Sequence, residues 1–184
     1  MRIIGGLAKG RSLKTVKGYA TRPTADRVKE AIFNTLAPKL VDARFLDAFA
    51  GSGALGLEAL SRGAKEAVFI EKNRSAFTVL KKNLQLLNLP NTVAYCADCI
   101  KIIPILGQKK RKFDLIFLDP PYDEGFLDKA LHAIMAADLL ANNGIIIIET
   151  DGKEREKFSQ SGLKLLKKSK YGDTSVIYYT GDSI

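Results

Sequence analysis

Arg44-Phe45-Leu46-Asp47-Ala48-Phe49-Ala50-Gly51-Ser52-Gly53-Ala54-Leu55-Gly56, running on into Leu57-Glu58-Ala59-Leu60, reads as a buried strand, a glycine-rich turn and the start of a helix. The same alternation continues downstream. Short β-type runs lie at Arg44–Ala48, Glu66–Ile70, Thr92–Cys96, Phe113–Leu118 and Gly144–Glu149. Helical periodicity fills the gaps at Ala54–Arg62, Arg74–Asn88, Cys99–Leu106 and Phe126–Leu140. Strands that alternate with helices predict a parallel sheet covered on both faces, an α/β Rossmann-like architecture. The unbroken apolar run Ile145–Ile148 suits a strand buried on both sides. Leu163–Lys168 and Thr174–Thr180 flank Tyr171-Gly172-Asp173 and predict an antiparallel hairpin that completes a mostly parallel, seven-stranded sheet.

Upstream the pattern differs. Arg2–Ile4 and Arg11–Val16 surround Gly5-Gly6 and Gly10 and predict a small β-hairpin. Thr24 then caps a helix to about Leu36. Residues 1–20 are therefore expected as a small appendage on a main domain of residues 21–184, too small to have a core of their own.

The ends of the strands carry the chemistry. In doubly wound sheets ligands bind outside the carboxyl ends of the strands. Asp47, Glu71, Asp98 and Asp119 all fall there. Gly51-x-Gly53-x-x-Gly56 with Glu71 fits a dinucleotide fingerprint, as in a nicotinamide-dependent oxidoreductase. Asp47 ahead of the glycines favours a ligand with an ammonium group, which points to S-adenosyl-L-methionine. On this reading Asp47 and the turn hold the methionine part, Glu71 the ribose and Asp98 the adenine amine. Any one of these acids, Asp98 above all, also suits an ordinary helix cap. Asp119-Pro120-Pro121-Tyr122 then follows Phe113–Leu118. The Asp119 carboxylate and the Pro120 carbonyl are two fixed acceptors, and Tyr122 is a flat face for stacking. Together they suit the exocyclic amine of a nucleobase.

Composition limits the alternatives. The chain has 184 residues, 46% hydrophobic and 27% charged, enough for one sizeable core. Its longest apolar run is too short to span a bilayer, and no export signal is visible, so a cytoplasmic location is expected. Net charge is +9. Residues 1–45 contribute ten basic side chains against Asp26, Glu30 and Asp42, which points to a polyanionic partner. Arg2, Lys9, Arg11, Arg22 and Arg27 are the candidate contacts. Cys96 and Cys99 lack the further Cys or His ligands of a zinc site, and His132 is the one histidine, so no metal is expected.

At Arg2-Ile3-Ile4-Gly5-Gly6, Lys9-Gly10-Arg11, Arg22 to Glu30, Phe33-Asn34, Asp47–Gly56 with Glu58 to Ala64, and Leu118–Tyr122, the chain resembles class I S-adenosyl-L-methionine-dependent methyltransferases. Within that class it is similar to the RsmD family, which methylates the N2 amine of a guanine in bacterial 16S ribosomal RNA. The resemblance implies a class I methyltransferase fold and a monomer acting on an assembled or partly assembled small ribosomal subunit. It implies Asp119, Pro120 and Tyr122 as catalytic residues, and adds Ala50 and Cys99 to Asp47, Gly51, Gly53, Glu71, Asp98 and Asp119 around the cofactor. A DNA adenine-N6 or cytosine-N4 methyltransferase would use the same pocket on another amine. The lack of a large target-recognition segment argues against it.

Overall fold

In the computed structural model, residues 1–15, 26–120, 125–150 and 162–181 are described. Seven strands form one sheet: β1 (Arg44–Asp47), β2 (Glu66–Ile70), β3 (Thr92–Tyr95), β4 (Phe113–Leu118), β5 (Leu140–Thr150), β6 (Leu163–Tyr171) and β7 (Thr174–Gly181). Their order is β3-β2-β1-β4-β5-β7-β6. The first five run parallel, and β7 pairs antiparallel with both β5 and β6. This is the Rossmann-like class I methyltransferase fold. The chain leaves β1 toward β2 and β3 on one side and returns as β4 and β5 on the other. The switch point lies between β1 and β4, where a ligand crevice is expected.

Side chains of the central strands alternate between two apolar layers, as a pleated strand requires. Phe45, Leu115, Phe117, Ile145 and Ile147 face α1 (Asp26–Leu40), α2 (Ala54–Ser61) and Leu80 of α3 (Arg74–Leu87). Leu46, Ile116, Leu118, Ile146 and Ile148 face α4 (Cys99–Gln108) and α5 (Phe126–Ala136). No described helix is long and apolar enough to cross a membrane.

Three boundaries depart from the sequence reading. Helix α5 stops at Ala136 instead of Leu140, because Asp138 turns left-handed (φ 51) and frees Leu140 to begin β5. Helix α1 runs past Leu36 to Leu40: Pro38 sits exposed in the last turn, while Leu40 is buried. The start expected at Thr24 lies outside the described residues. The N-terminal hairpin is short: among the described residues Arg2 bridges Ser12, and the Ile3, Gly10 and Leu13 N–H groups donate across it to the Arg11, Ile3 and Met1 carbonyls. Ties to the main body reinforce it. Ile3, Ala8 and Leu13 are buried in the layer that holds α1 and α2.

Those ties centre on helix α2. Glu58 is 0% exposed, and its carboxylate accepts the Ile4 N–H (2.8 Å) and the Gly5 N–H (2.7 Å). Arg62 Nε donates to it at 2.7 Å, and the equally buried Lys29 Nζ lies 3.5 Å away. Lys29 also donates to the Arg2 carbonyl at 2.5 Å. Burial lowers the Lys29 pKa, opposed by the charges of Glu58 and Asp26. Ser61 donates to the Gly5 carbonyl (2.6 Å) and accepts the Ala8 N–H (2.9 Å). Backbone contact here is so close that a Cβ on Gly6 would stand 1.7 Å from the Ser61 carbonyl oxygen.

Candidate active site

The glycine turn is built from three kinds of contact. Gly53 (φ 86) is the N-cap of α2, and Gly53 N–H donates to the Ala50 carbonyl. Ala50 N–H in turn donates to Ile70 at the end of β2. The three glycines do different work. A Cβ on Gly53 would meet Leu80 at 2.4 Å, and one on Gly56 would meet Phe69 at 2.3 Å, so both positions are dictated by packing. A Cβ on Gly51 (φ 53) would meet nothing within 4 Å. Gly51 therefore presents its backbone to open space.

Two acids hold this turn. Asp47 is 1% exposed beneath it, and its Oδ2 accepts the Gly56 N–H at 3.2 Å. Burial pushes the Asp47 carboxyl up to about 7, with Glu71 adding a smaller like-charge effect. Glu71, half-buried at the end of β2, accepts the Gly51 N–H (2.8 Å) on one oxygen and the Asn73 N–H (2.6 Å) on the other. Each oxygen keeps further acceptor capacity. Asp98 caps α4 by accepting the Ile100 N–H at 3.0 Å, and stays partly exposed. Cys99 follows in the first turn of α4, where burial raises its thiol to about 12. Cys96 is exposed, and both cysteines are free.

Asp119 stands just beyond β4, across the switch point from Asp47. Its carboxyl is raised well above the usual range, first by burial, then by the charges of Glu149 and Asp47. The register explains the cluster. Phe117 pairs with both Asp47 and Ile147, and continuing two residues on the same face brings Asp119 beside Glu149. Pro120 is buried next to Asp119. Phe49 in the turn and Phe126 at the start of α5 pack edge to face with centroids 5.7 Å apart, and the Lys72 ammonium sits 5.2 Å over the Phe126 ring. Tyr122, the proposed stacking residue, lies outside the described residues.

The basic candidates divide. Lys9 and Arg27 are exposed. Arg2 pairs with Asp26 at 3.3 Å, and Arg11 donates to the Leu86 carbonyl at 3.0 Å, so both also fasten the N-terminal segment. Arg22 lies outside the described residues. Lys39, near the end of α1, reaches the Asn143 carbonyl before Gly144, so the first turn of α1, with Arg27, lies toward the carboxyl ends of the strands.

The sequence pattern alone does not single out Glu149, Glu58, Lys29 or Asn83. Glu149 ends an apolar run, a signal of the kind that marked Asp119, but no motif follows it. The other three sit in helical patterns where an acid, a lysine and an asparagine look like surface residues. In the structure all three are buried where the N-terminal segment docks.

A family model described as conserved hypothetical protein 95 matches residues 1–180. The chain is 38% identical over 181 residues to ribosomal RNA small subunit methyltransferase D of Haemophilus influenzae, covering 97% of this chain and 93% of that one. The protein of the same name from Escherichia coli K12 is 42% identical over 151 residues, covering 82% of this chain and 75% of that one. The solved structure of the Escherichia coli protein yhhF superposes with a TM-score of 0.88 at 36% identity, covering 99% and 98% of the two chains.

Proposed function

The chain belongs to the family described as conserved hypothetical protein 95, the RsmD family, and on that premise we propose that it methylates the exocyclic N2 amine of a guanine in 16S ribosomal RNA, with S-adenosyl-L-methionine as donor. The substrate is then the small ribosomal subunit, assembled or partly assembled, and the enzyme acts as a cytoplasmic monomer without a metal. The single observation that carries the reading is the position of Asp119-Pro120 directly after β4 at the β1/β4 switch point, beside the strand that leads into the open Gly51 turn.

The residues present fit the cofactor. Gly51 leaves room for a ligand against its backbone, and Glu71, already oriented by two backbone N–H groups, suits the ribose hydroxyls. Ala50, Gly53, Asp98 and Cys99 form the rest of the proposed rim. Asp47 supports the turn from below and reaches the ligand through it. When bound, S-adenosyl-L-methionine supplies a methyl group already activated on a sulfonium. The work left to the protein is positioning, worth up to ~7–11 kcal/mol in well-oriented systems.

The nitrogen's lone pair is delocalised into the guanine ring, so the amine is a poor nucleophile. Hydrogen bonds from its two N–H groups to the Asp119 carboxylate and the Pro120 carbonyl favour a pyramidal nitrogen with the lone pair aimed outward. When the new C–N bond forms, one of these protons must leave. Asp119, made more basic by burial and by Glu149 and Asp47, is the acceptor at hand. Tyr122 is the candidate for stacking with the extruded base, which offsets part of its few-kcal/mol unstacking cost.

The test uses methyl-labelled S-adenosyl-L-methionine and small subunits from cells lacking the gene, intact and as naked 16S RNA. Label should appear in N2-methylguanosine after digestion. Asp119→Ala should abolish it while cofactor affinity stays close to wild type. Label in another nucleoside, or in none, overturns the reading.

A further inference from the structure

Helix α3 carries Arg74, Lys81 and Lys82 and not one Asp or Glu in Arg74–Leu87. The first fifteen residues carry Arg2, Lys9, Arg11 and Lys14, again with no acid. The fold lays these two stretches side by side. Asn83, 0% exposed, accepts the Lys14 N–H (2.8 Å) and donates to the Lys14 carbonyl (3.0 Å). Further along the same flank, the Arg11 guanidinium caps the Leu86 carbonyl. Lys82 lies one helical turn before Leu86, on the flank the N-terminal segment crosses, with Lys81 and Arg74 next around the helix.

These cations stand close together on one flank. Paired bases such as Arg44 with Asp114, Arg111 with Glu66 and Lys112 with Asp138 lie elsewhere on the described surface. Lys9, Lys14, Arg74, Lys81 and Lys82 are exposed, and among the described residues none has an acidic partner. Like charges held close together repel, and a polyanion laid across them would relieve that repulsion. The patch is also tied to the site. The Asn83 amide that holds Lys14 donates at 2.9 Å to the Ser52 carbonyl in the glycine turn, and α3 starts three residues after Glu71.

We propose that the RNA backbone runs along α3, across Lys81 and Lys82 and the adjoining Lys9, Arg11 and Lys14, toward Arg74 and the glycine turn. This rests on the RNA-methylating reading above and extends the contact surface beyond the N-terminal segment. Lys72 over Phe126 would continue it to the mouth of the site.

The test compares Lys81→Gln/Lys82→Gln with a control, Lys164→Gln/Lys170→Gln, which removes the same charge from exposed β6 at the opposite edge of the sheet. Binding of 16S RNA is titrated against salt. Unfolding midpoint and S-adenosyl-L-methionine affinity are measured in parallel. Each lost phosphate contact lowers the slope of log affinity against log salt by about 0.7–0.9, so the α3 variant should lose about 1.4–1.8. Its midpoint and cofactor affinity should match wild type, and the control slope should be unchanged. An α3 variant with the wild-type slope overturns the proposal and leaves the methyltransferase reading standing. Equal slope losses in both variants also overturn it, since net charge alone then explains the effect. Wild-type protein that binds RNA without salt dependence overturns both.

Discussion

Replacing Asp47 by asparagine should change how the stability of this protein depends on pH. Asp47 is buried under the glycine turn, and its carboxyl is raised from 3.8 to about 7. A carboxyl with a native pKa above its unfolded value binds protons more tightly in the folded state. Its ionisation therefore costs stability, and the cost grows as pH rises from about 4 to about 7. A tenfold change in proton affinity is worth ~1.4 kcal/mol, so the full cost of charging Asp47 is about 4 kcal/mol. Between about pH 5 and about pH 8 the portion lost is ~2.5 kcal/mol. Asparagine keeps an oxygen for the Gly56 N–H and never ionises. Any fixed cost of its amide affects both pH values equally and drops out of the comparison. Removing the Asp47 charge also relieves Asp119, which acts in the same direction. The assay is urea unfolding at the two pH values. Wild type should lose about 2–3 kcal/mol more than Asp47→Asn on going to the higher pH. Parallel losses would mean that Asp47 is ionised and solvated through that range, and the buried-anchor account would fail.

Glu58→Ala should destabilise the fold by ~3–5 kcal/mol, because it strands Lys29 and two backbone N–H groups in a buried place. Urea midpoints and faster proteolysis within residues 1–15 check this. Gly53→Ala combines a left-handed backbone with a 2.4 Å clash against Leu80 and should cost about 2–5 kcal/mol in urea unfolding. Gly51→Ala meets only the backbone cost of about 1–2 kcal/mol, yet its methyl enters the ligand space. It should weaken S-adenosyl-L-methionine binding more than it lowers the melting temperature. Glu149→Gln removes a like charge from Asp119, so the acid limb of the activity profile should move to lower pH; an unmoved limb would separate the two groups.

The order of strands and helices was legible because each central strand is an apolar run closed by an acid or a glycine. Strand β4 has the bounds that its sequence predicts, Phe113–Leu118, and β2 likewise. Both are short, central and buried on two faces. Errors gathered where backbone geometry, not hydrophobic pattern, decides the outcome. Asp138 and its positive φ ended α5 early, although Leu139 and Leu140 continue its apolar pattern. The N-terminal segment alternates like a hairpin and closes one, but its pattern does not show what holds it. The Ile4, Gly5, Ala8 and Lys14 N–H groups bond to Glu58, Ser61 and Asn83, more than fifty residues downstream. In the site, the spacing of the glycines was visible, but not their division of labour. Which glycine faces a ligand and which faces Leu80 or Phe69 depends on residues from other elements. Glu149 escaped because its role comes from register with β4, a relation between strands that neither sequence carries alone.

Helix α2 also has a consequence for the order of folding. Its buried Glu58 is completed by the backbone of Ile4 and Gly5, which precede it by 54 and 53 positions. Ile4 and Gly5 are thus synthesised well before the acid that completes them. Until α2 is laid down on β1, those amides can only bond to water, and Glu58 cannot be enclosed without them. Closing that long loop carries an entropic cost that the contacts made on docking must offset. The stability of the N-terminal segment therefore depends on the body of the molecule, and a fragment ending before Glu58 would lack the acid that Ile4 and Gly5 dock against.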